Sequence, residues 1–255
     1  YERGTLFAGG EPYPVTLRDD FVLRAADVPE DVWDRARIVW ICTPHNPTGA
    51  VTSSRDFDEL LARARRHGTW LFSDECYADV YEGDSYPDGP PSLLQLAGAG
   101  APGVLTFLSL SKRSGMTGYR SGAIVGDADA IGALKRFRTA TGTASPEFVQ
   151  AAAVAAWSDD DHAGERREIF AAKRAVLRAA FDKLGMEVVA SRAGLYLWVR
   201  VDDDLAVTDQ LLEDGVVVSP GRFFGSGGEG YLRLALVPTL EECEQAVEVL
   251  VQCLS

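Results

Sequence analysis

Apolar positions along the chain fall into short runs of strand length separated by longer stretches with a helical period. Ile38 to Cys42, Trp70 to Ser73 and Val104 to Leu108 are nearly continuous apolar runs, the pattern of strands covered on both faces of a parallel sheet. Between the first two, Ser53 to His67 repeats as a helix, with Ser53 or Ser54 as its cap and Gly68 as its stop. A further short apolar run, Ala123 to Val125, follows the third strand. This alternation predicts an α/β fold built on a mostly parallel sheet.

The flanking pattern is less regular. Tyr1 to Phe7 reads as the end of a helix stopped by Ala8-Gly9-Gly10, and Glu11 to Leu17 as an extended segment. Asp19 to Asp34 is acidic, with a short helix at Val32 to Arg35, and Trp33 and Trp40 read as packing residues. Glu82 to Pro91, rich in proline and acid, is a loop, and Leu93 to Ala97 a short helix. Ala128 to Ala140 and Pro146 to Trp157 are helices joined by Thr141-Gly142-Thr143-Ala144-Ser145, and Glu165 to Leu184 is a long helix with an apolar stripe ending at Gly185. The remainder has α+β character. Its strands are expected at Val188 to Ala190, Leu195 to Val201, Val216 to Ser219 and Tyr231 to Val237. Its helices are expected at Leu205 to Glu213 and Leu240 to Leu254, the last opened by a Thr239/Glu242 capping box.

Composition narrows the classes of function. A length of 255 residues with 46% hydrophobic content supports a sizeable core in one large or two unequal domains. A formal charge of -13, from 25 Lys plus Arg against 38 Asp plus Glu, disfavours nonspecific binding to nucleic acid. The 4 cysteines, at 42, 76, 243 and 253, have neither metal-ligand spacing nor the density of a disulfide scaffold, which points to reduced thiols and a cytoplasmic setting. His45, His67 and His162 are scattered, so no metal is expected, and no stretch has the length and apolarity of a membrane span. A Gly-x-Gly-x-x-Gly signature leading from a strand into a helix is lacking, which weakens a nicotinamide reading. The chain opens on Tyr1 rather than methionine, so a preceding segment is expected.

Candidate chemistry gathers where the predicted strands end. In an open α/β sheet the carboxyl ends of the strands share one rim, where ligands sit. Asn46 follows the first strand, Asp74 and Tyr77 the second, and Ser109-Leu110-Ser111-Lys112 the third, with Gly118-Tyr119-Arg120-Ser121-Gly122 beyond it. A lysine beside two hydroxyls, followed by glycines and an arginine, has the parts to hold a phosphorylated aldehyde: Lys112 as a Schiff-base amine, and Ser109, Ser111 and Arg120 on phosphate oxygens. In Tyr231-Leu232-Arg233-Leu234-Ala235-Leu236, alternation puts Arg233 on the face opposite the leucines.

The ordered set Asn-Pro-x-Gly, Asp-Glu-x-Tyr, Ser-x-Ser-Lys, Gly-x-Arg-x-Gly and a late strand arginine resembles the fold-type I pyridoxal-phosphate aminotransferases of class I/II. His45-Asn46-Pro47-Thr48-Gly49, Leu110 to Ser114, Met116 to Arg120 and Phe148-Val149-Gln150 are most similar to N-succinyldiaminopimelate aminotransferases. The resemblance implies pyridoxal 5'-phosphate as cofactor, with Lys112 as Schiff-base amine and proton carrier. It also implies Asp74 on the pyridine nitrogen, Asn46 and Tyr77 on the phenolic oxygen, and Arg233 on the substrate α-carboxylate. Asn46 is expected to contact substrate as well. The implied reaction moves an amino group between N-succinyl-LL-2,6-diaminopimelate and 2-oxoglutarate, in lysine biosynthesis.

Arg113, Arg192 and Arg222, with the Phe223-Phe224-Gly225 rim, are candidates for the distal part of such a substrate. The resemblance further implies a homodimer and a large cofactor-binding domain at 1–170, incomplete at its N-terminus, followed by a small domain at 171–255. Relatives carry a phosphate loop and a ring-stacking aromatic ahead of the equivalent of Tyr1. Aspartate or aromatic aminotransfer and carbon–sulfur lysis remain open alternatives, as does a noncatalytic aminotransferase-like regulator or incomplete pseudoenzyme.

Overall fold

The computed structural model describes residues 1–17, 19–142 and 144–255. In chain order the first half comprises α1 (Glu2–Phe7), α2 (Glu30–Arg35), β1 (Ile38–Cys42), α3 (Ser54–His67), β2 (Trp70–Asp74), α4 (Leu93–Leu96), β3 (Val104–Ser109), α5 (Leu110–Arg113) and β4 (Gly122–Gly126). Then follow α6 (Ala128–Thr141), α7 (Glu147–Trp157), α8 (Asp161–Lys183), β5 (Val188–Val189), β6 (Tyr196–Arg200), α9 (Asp204–Glu213), β7 (Ser219–Pro220), β8 (Tyr231–Ala235) and α10 (Leu240–Leu254).

The first sheet has the order β1-β2-β3-β4. β1, β2 and β3 are parallel, so their carboxyl ends share one edge, whereas β4 returns antiparallel to β3. Under one face of this sheet the buried face of α3 (Phe57, Leu60, Leu61, Ala64) packs with Trp33, Ile41, Leu71, Leu93 and Val104. The Ser53 hydroxyl accepts from the Asp56 N–H to start α3, and Gly68, in the left-handed region at φ 66°, stops it. Trp33 is fully buried with its indole N–H on the Ala25 carbonyl, a packing role as expected.

The second sheet has the order β5-β6-β8-β7 and is antiparallel throughout. Leu197, Val199, Leu232 and Leu234 meet Phe170, Leu177 and Phe181 of α8 and Leu250 of α10 in a second core. Thr239 and Glu242 form the expected capping box.

Three expectations are corrected. Val216 to Ser219 is not a strand; only Ser219–Pro220 pairs with β8, and Val216 and Val218 pack on the second core as irregular chain while Val217 is 79% exposed. The long helix starts at Asp161, ahead of the expected Glu165, because the Asp159 carboxylate accepts from the Asp161 and His162 N–H groups. The helix following Ala128 runs on to Thr141, stopped by left-handed Gly142; Thr143 of the expected joint lies outside the described residues.

The two sheets meet at a close backbone contact. Gly49, at φ 72°, lies so near the Ser191 to Ala193 segment that a Cβ there would sit 2.4 Å from the Ala193 carbonyl oxygen. Ser191 N–H donates to the Thr48 carbonyl at 3.0 Å, and Tyr81 bridges to Ala193.

Candidate active site

The turn that carries Asn46 leaves β1 at its rim. The Thr43 N–H donates to the Asp74 carbonyl, the Thr52 N–H to the Thr43 hydroxyl and the Gly49 N–H to the His45 carbonyl. The Thr43–Pro44 and Asn46–Pro47 peptide bonds are both cis. His45 is anchored to the Thr48 hydroxyl at 2.9 Å, and burial lowers its pKa to about 4, so the ring is neutral at pH 7.

Asp74 ends β2 opposite Cys42 of β1. One carboxylate oxygen accepts from the Cys76 N–H at 3.2 Å and the other from the Tyr1 hydroxyl at 2.7 Å, with the Tyr1 ring stacked on Trp40 at 4.6 Å. Burial pushes the Cys42 thiol up to about 11 and also raises Cys76 and Tyr1, so these neighbours keep their protons at pH 7. Glu75, next in sequence, has a different job. It is buried and accepts from the Ser73 hydroxyl and the Leu93 N–H, tying β2 to the start of α4.

Tyr77 is buried, its hydroxyl 3.3 Å from that of Tyr196 on β6. Burial first, and the Tyr196 hydroxyl second, raise its pKa, so it remains a phenol. Lys112 Nζ lies 5.4 Å from the Tyr77 ring centroid and has no ion-pair partner among the described residues. The lysine does not sit directly at the strand end. The Ser109 hydroxyl accepts from the Ser111 N–H and turns the chain at once into α5, which carries Lys112 in its single turn. Ser111 is half-buried, and Arg120 is exposed, left-handed at φ 50°, donating to the Thr117 carbonyl at 2.9 Å.

Arg233 brings the second sheet to the first. Its Nη1 donates to Asn46 Oδ1 at 3.2 Å across 187 residues of sequence, and its guanidinium carbon stands 4.3 Å from the ring centroids of both Tyr196 and Phe224. Its Nε is buried without an acceptor, and no carboxylate pairs with it among the described residues. A cation held by neutral groups, with a donor to spare, is suited to receive an anion.

The other arginines considered are already engaged. Arg113 is buried against Asp79 at 2.6 Å and also pairs with Asp160, Arg192 pairs with Glu82 at 2.9 Å, and Arg222 pairs with Asp204 at 2.6 Å. Phe224 stands over Arg233, whereas Phe223 is 73% exposed. Sequence reasoning missed Tyr196 and Tyr1. Both touch the site only through tertiary contact, and only the register of β6 against β8 carries a hint of the first. Among the described residues there is no cluster able to hold a metal, no helix long and apolar enough to cross a membrane, and the cysteines are free thiols.

A family model described as aminotransferase class I and II matches residues 1–250. The LL-diaminopimelate aminotransferase of Aquifex aeolicus (strain VF5) is 32% identical over 255 residues, covering 97% of this chain and 65% of its own length. The 4-dedimethylamino-4-oxo-anhydrotetracycline transaminase OxyQ of Streptomyces rimosus is 40% identical over 213 residues, 82% of this chain and 58% of its own. The chain thus spans less than two thirds of the length of these curated relatives. Among solved structures, a probable N-succinyldiaminopimelate aminotransferase from Thermus thermophilus superposes with a TM-score of 0.89 at 32% identity, covering 100% of this chain and 68% of that one.

Proposed function

The chain belongs to the class I and II aminotransferases, and from that premise we propose that it takes part in moving an amino group between an amino acid and a 2-oxo acid. Its fold is the type I fold of pyridoxal-phosphate-dependent transferases, and the residues present fit that cofactor. Asp74 already accepts from a phenol hydroxyl, as it would from a ring N–H. Lys112 offers an amine without a competing carboxylate among the described residues, and Ser109, Ser111 and Arg120 offer donors for a phosphate. Bound there, pyridoxal 5'-phosphate supplies an aldehyde to carry the amino group and a ring to accept electrons.

The chain's own residues divide the remaining work. Lys112 Nζ removes and returns the proton at the substrate α-carbon, and burial of the Tyr77 ring beneath it fixes its approach. With that cofactor bound, Asp74 would accept from the ring N–H, and the Tyr77 phenol and the Asn46 amide would donate to the phenolic oxygen. Arg233, oriented by Asn46 and two aromatic rings, grips the α-carboxylate. The convergence of Arg233 on Asn46 is the observation that carries this reading, since a guanidinium with no carboxylate partner among the described residues stands beside the rim.

For substrate, we favour the diaminopimelate skeleton with 2-oxoglutarate as acceptor, in lysine biosynthesis. Names of relatives support both the direct LL-form and the N-succinyl form. The 40% identity to OxyQ favours a second reading, amino transfer to a ketone on a polycyclic skeleton. The reading includes a homodimer and a division into a cofactor-binding part at 1–170 and a smaller part at 171–255. The test is a spectral titration of the cofactor-loaded protein with each amino donor, product identification, and borohydride reduction with peptide mapping. Cofactor fixed to Lys112 and turnover lost in Lys112→Ala are expected; cofactor attached elsewhere, or turnover retained without Lys112, would overturn it.

A further inference from the structure

Beyond Lys112, α5 is followed by its cap residue Ser114, whose hydroxyl meets the first turn of α8. Ser114 Oγ lies 2.8 Å from His162 Nε2, and His162 Nδ1 lies 3.2 Å from Asp159 Oδ2. The Asp159 carboxylate is held by its other oxygen, which accepts from the Asp161 and His162 N–H groups at 3.0 and 3.2 Å. Those bonds, chiefly that from His162, keep its pKa below the usual carboxylate value. An ionised, fixed carboxylate on Nδ1 selects the tautomer with the proton on Nδ1, which leaves Nε2 as the acceptor for the serine proton. Nucleophile, base and orienting group thus stand in the order and at the spacing that activates a hydroxyl.

A cation completes the arrangement. Arg166, one turn along α8 from His162, donates from Nε to the Arg113 carbonyl at 3.1 Å. Its Nη1 and Nη2 lie 2.9 and 3.3 Å from where a Cβ of Gly115 would be. Neither has an acceptor among the described residues. Gly115, left-handed at φ 67°, makes this approach possible, so a charged donor pair stands next to the residue following the serine.

We propose that Ser114, His162 and Asp159 form a second, nucleophilic site in which Ser114 accepts an acyl group from an activated ester. The Ser114 Oγ–acyl carbon bond forms as the acyl carbon–leaving oxygen bond breaks. The Ser114 proton passes to His162 Nε2 and from there to the departing alkoxide, and water later releases the acid by the reverse route. Arg166 faces the charge that develops on the acyl oxygen, and Asp159 is a positioning residue acting through His162. The inference is independent of the aminotransferase reading.

The test is a time course of the cofactor-loaded protein with 4-nitrophenyl acetate, read by release of 4-nitrophenolate and by peptide mapping of the acetyl group. Acetylation of Ser114 well ahead of exposed Ser158, persisting in Lys112→Ala, is expected. His162→Ala should slow it on the order of 100-fold, with partial recovery on adding imidazole. Asp159→Ala should slow it roughly tenfold and Asp159→Glu should restore part of the rate, a rescue that a purely structural role would not give. His162→Gln serves as a second variant of similar shape if the alanine form melts early. Acetylation of Ser114 no faster than Ser158, or unchanged by loss of the imidazole in a folded variant, would overturn the proposal.

Discussion

Arg222 and Arg233 lie close in sequence on the same sheet region and meet opposite fates. Arg222 grips Asp204 through its side chain at 2.6 Å and its backbone N–H at 3.0 Å, and Asp204 is fully buried with its pKa lowered to about 2, first by the Arg222 side chain. Among the described residues Arg233 has only neutral company: Asn46, Ser219, Tyr196 and Phe224. The first charge is cancelled inside the fold and ties the start of α9 to the turn after β7. The second is held in place but not cancelled. Availability for a ligand depends on what surrounds a guanidinium, not on its exposure, since Arg222 is the more exposed of the two.

The sharpest way to break this contrast is to exchange the outcomes. Arg233→Ala should lower kcat/KM for an α-amino acid by roughly 3–4 kcal/mol in transition-state terms, several hundredfold, by removing a two-point charged contact. Its melting temperature should stay near that of the parent. A large fall in melting temperature with kcat/KM preserved would reverse the roles assigned to the two arginines. Gly49→Ala, which forces a Cβ against the Ala193 carbonyl at a left-handed φ, should cost about 2–3 kcal/mol in chemical denaturation and raise KM through Asn46.

Asp204→Asn should cost about 2 kcal/mol of stability while leaving the KM for the α-amino acid within roughly twofold. The same pair gives a pH test. Because the folded carboxyl titrates near 2 against an ordinary 3.8, its contribution is complete above 3.8 and disappears as pH falls from there toward 2. An acid-unfolding profile of Asp204→Asn should lack that component. The smallest change, Thr239→Ala, removes the cap of α10 and should cost about 1 kcal/mol without touching either arginine, a baseline for the others.

Much of the fold was legible because it is locally encoded. β1, β2 and β3 are continuous apolar runs, and α3 and α10 carry their caps in the sequence at Ser53 and Thr239. The rim residues Asn46, Asp74, Tyr77 and Lys112 were legible because strand ends in a parallel sheet share an edge. What escaped is set by tertiary contact or by direction. Val216 to Val218 are apolar but unpaired, and the antiparallel sense of β4 has no local mark. The occupation of Arg113 by Asp79 and Asp160 depends on groups brought from two other segments. The Ser114–His162 contact spans 48 residues and could not be read from spacing.

The 23 residues of α8 form one uninterrupted rod about 35 Å long. Its opening turn touches the lysine-bearing segment through His162 and Arg166, and its later turns are embedded in the leucines below Arg233. A rod fixed at both ends transmits tilt as a lever does. Rocking of the second sheet would therefore be felt at the segment around Lys112, coupling the proposed carboxylate site at Arg233 to the setting of the proposed Schiff-base amine.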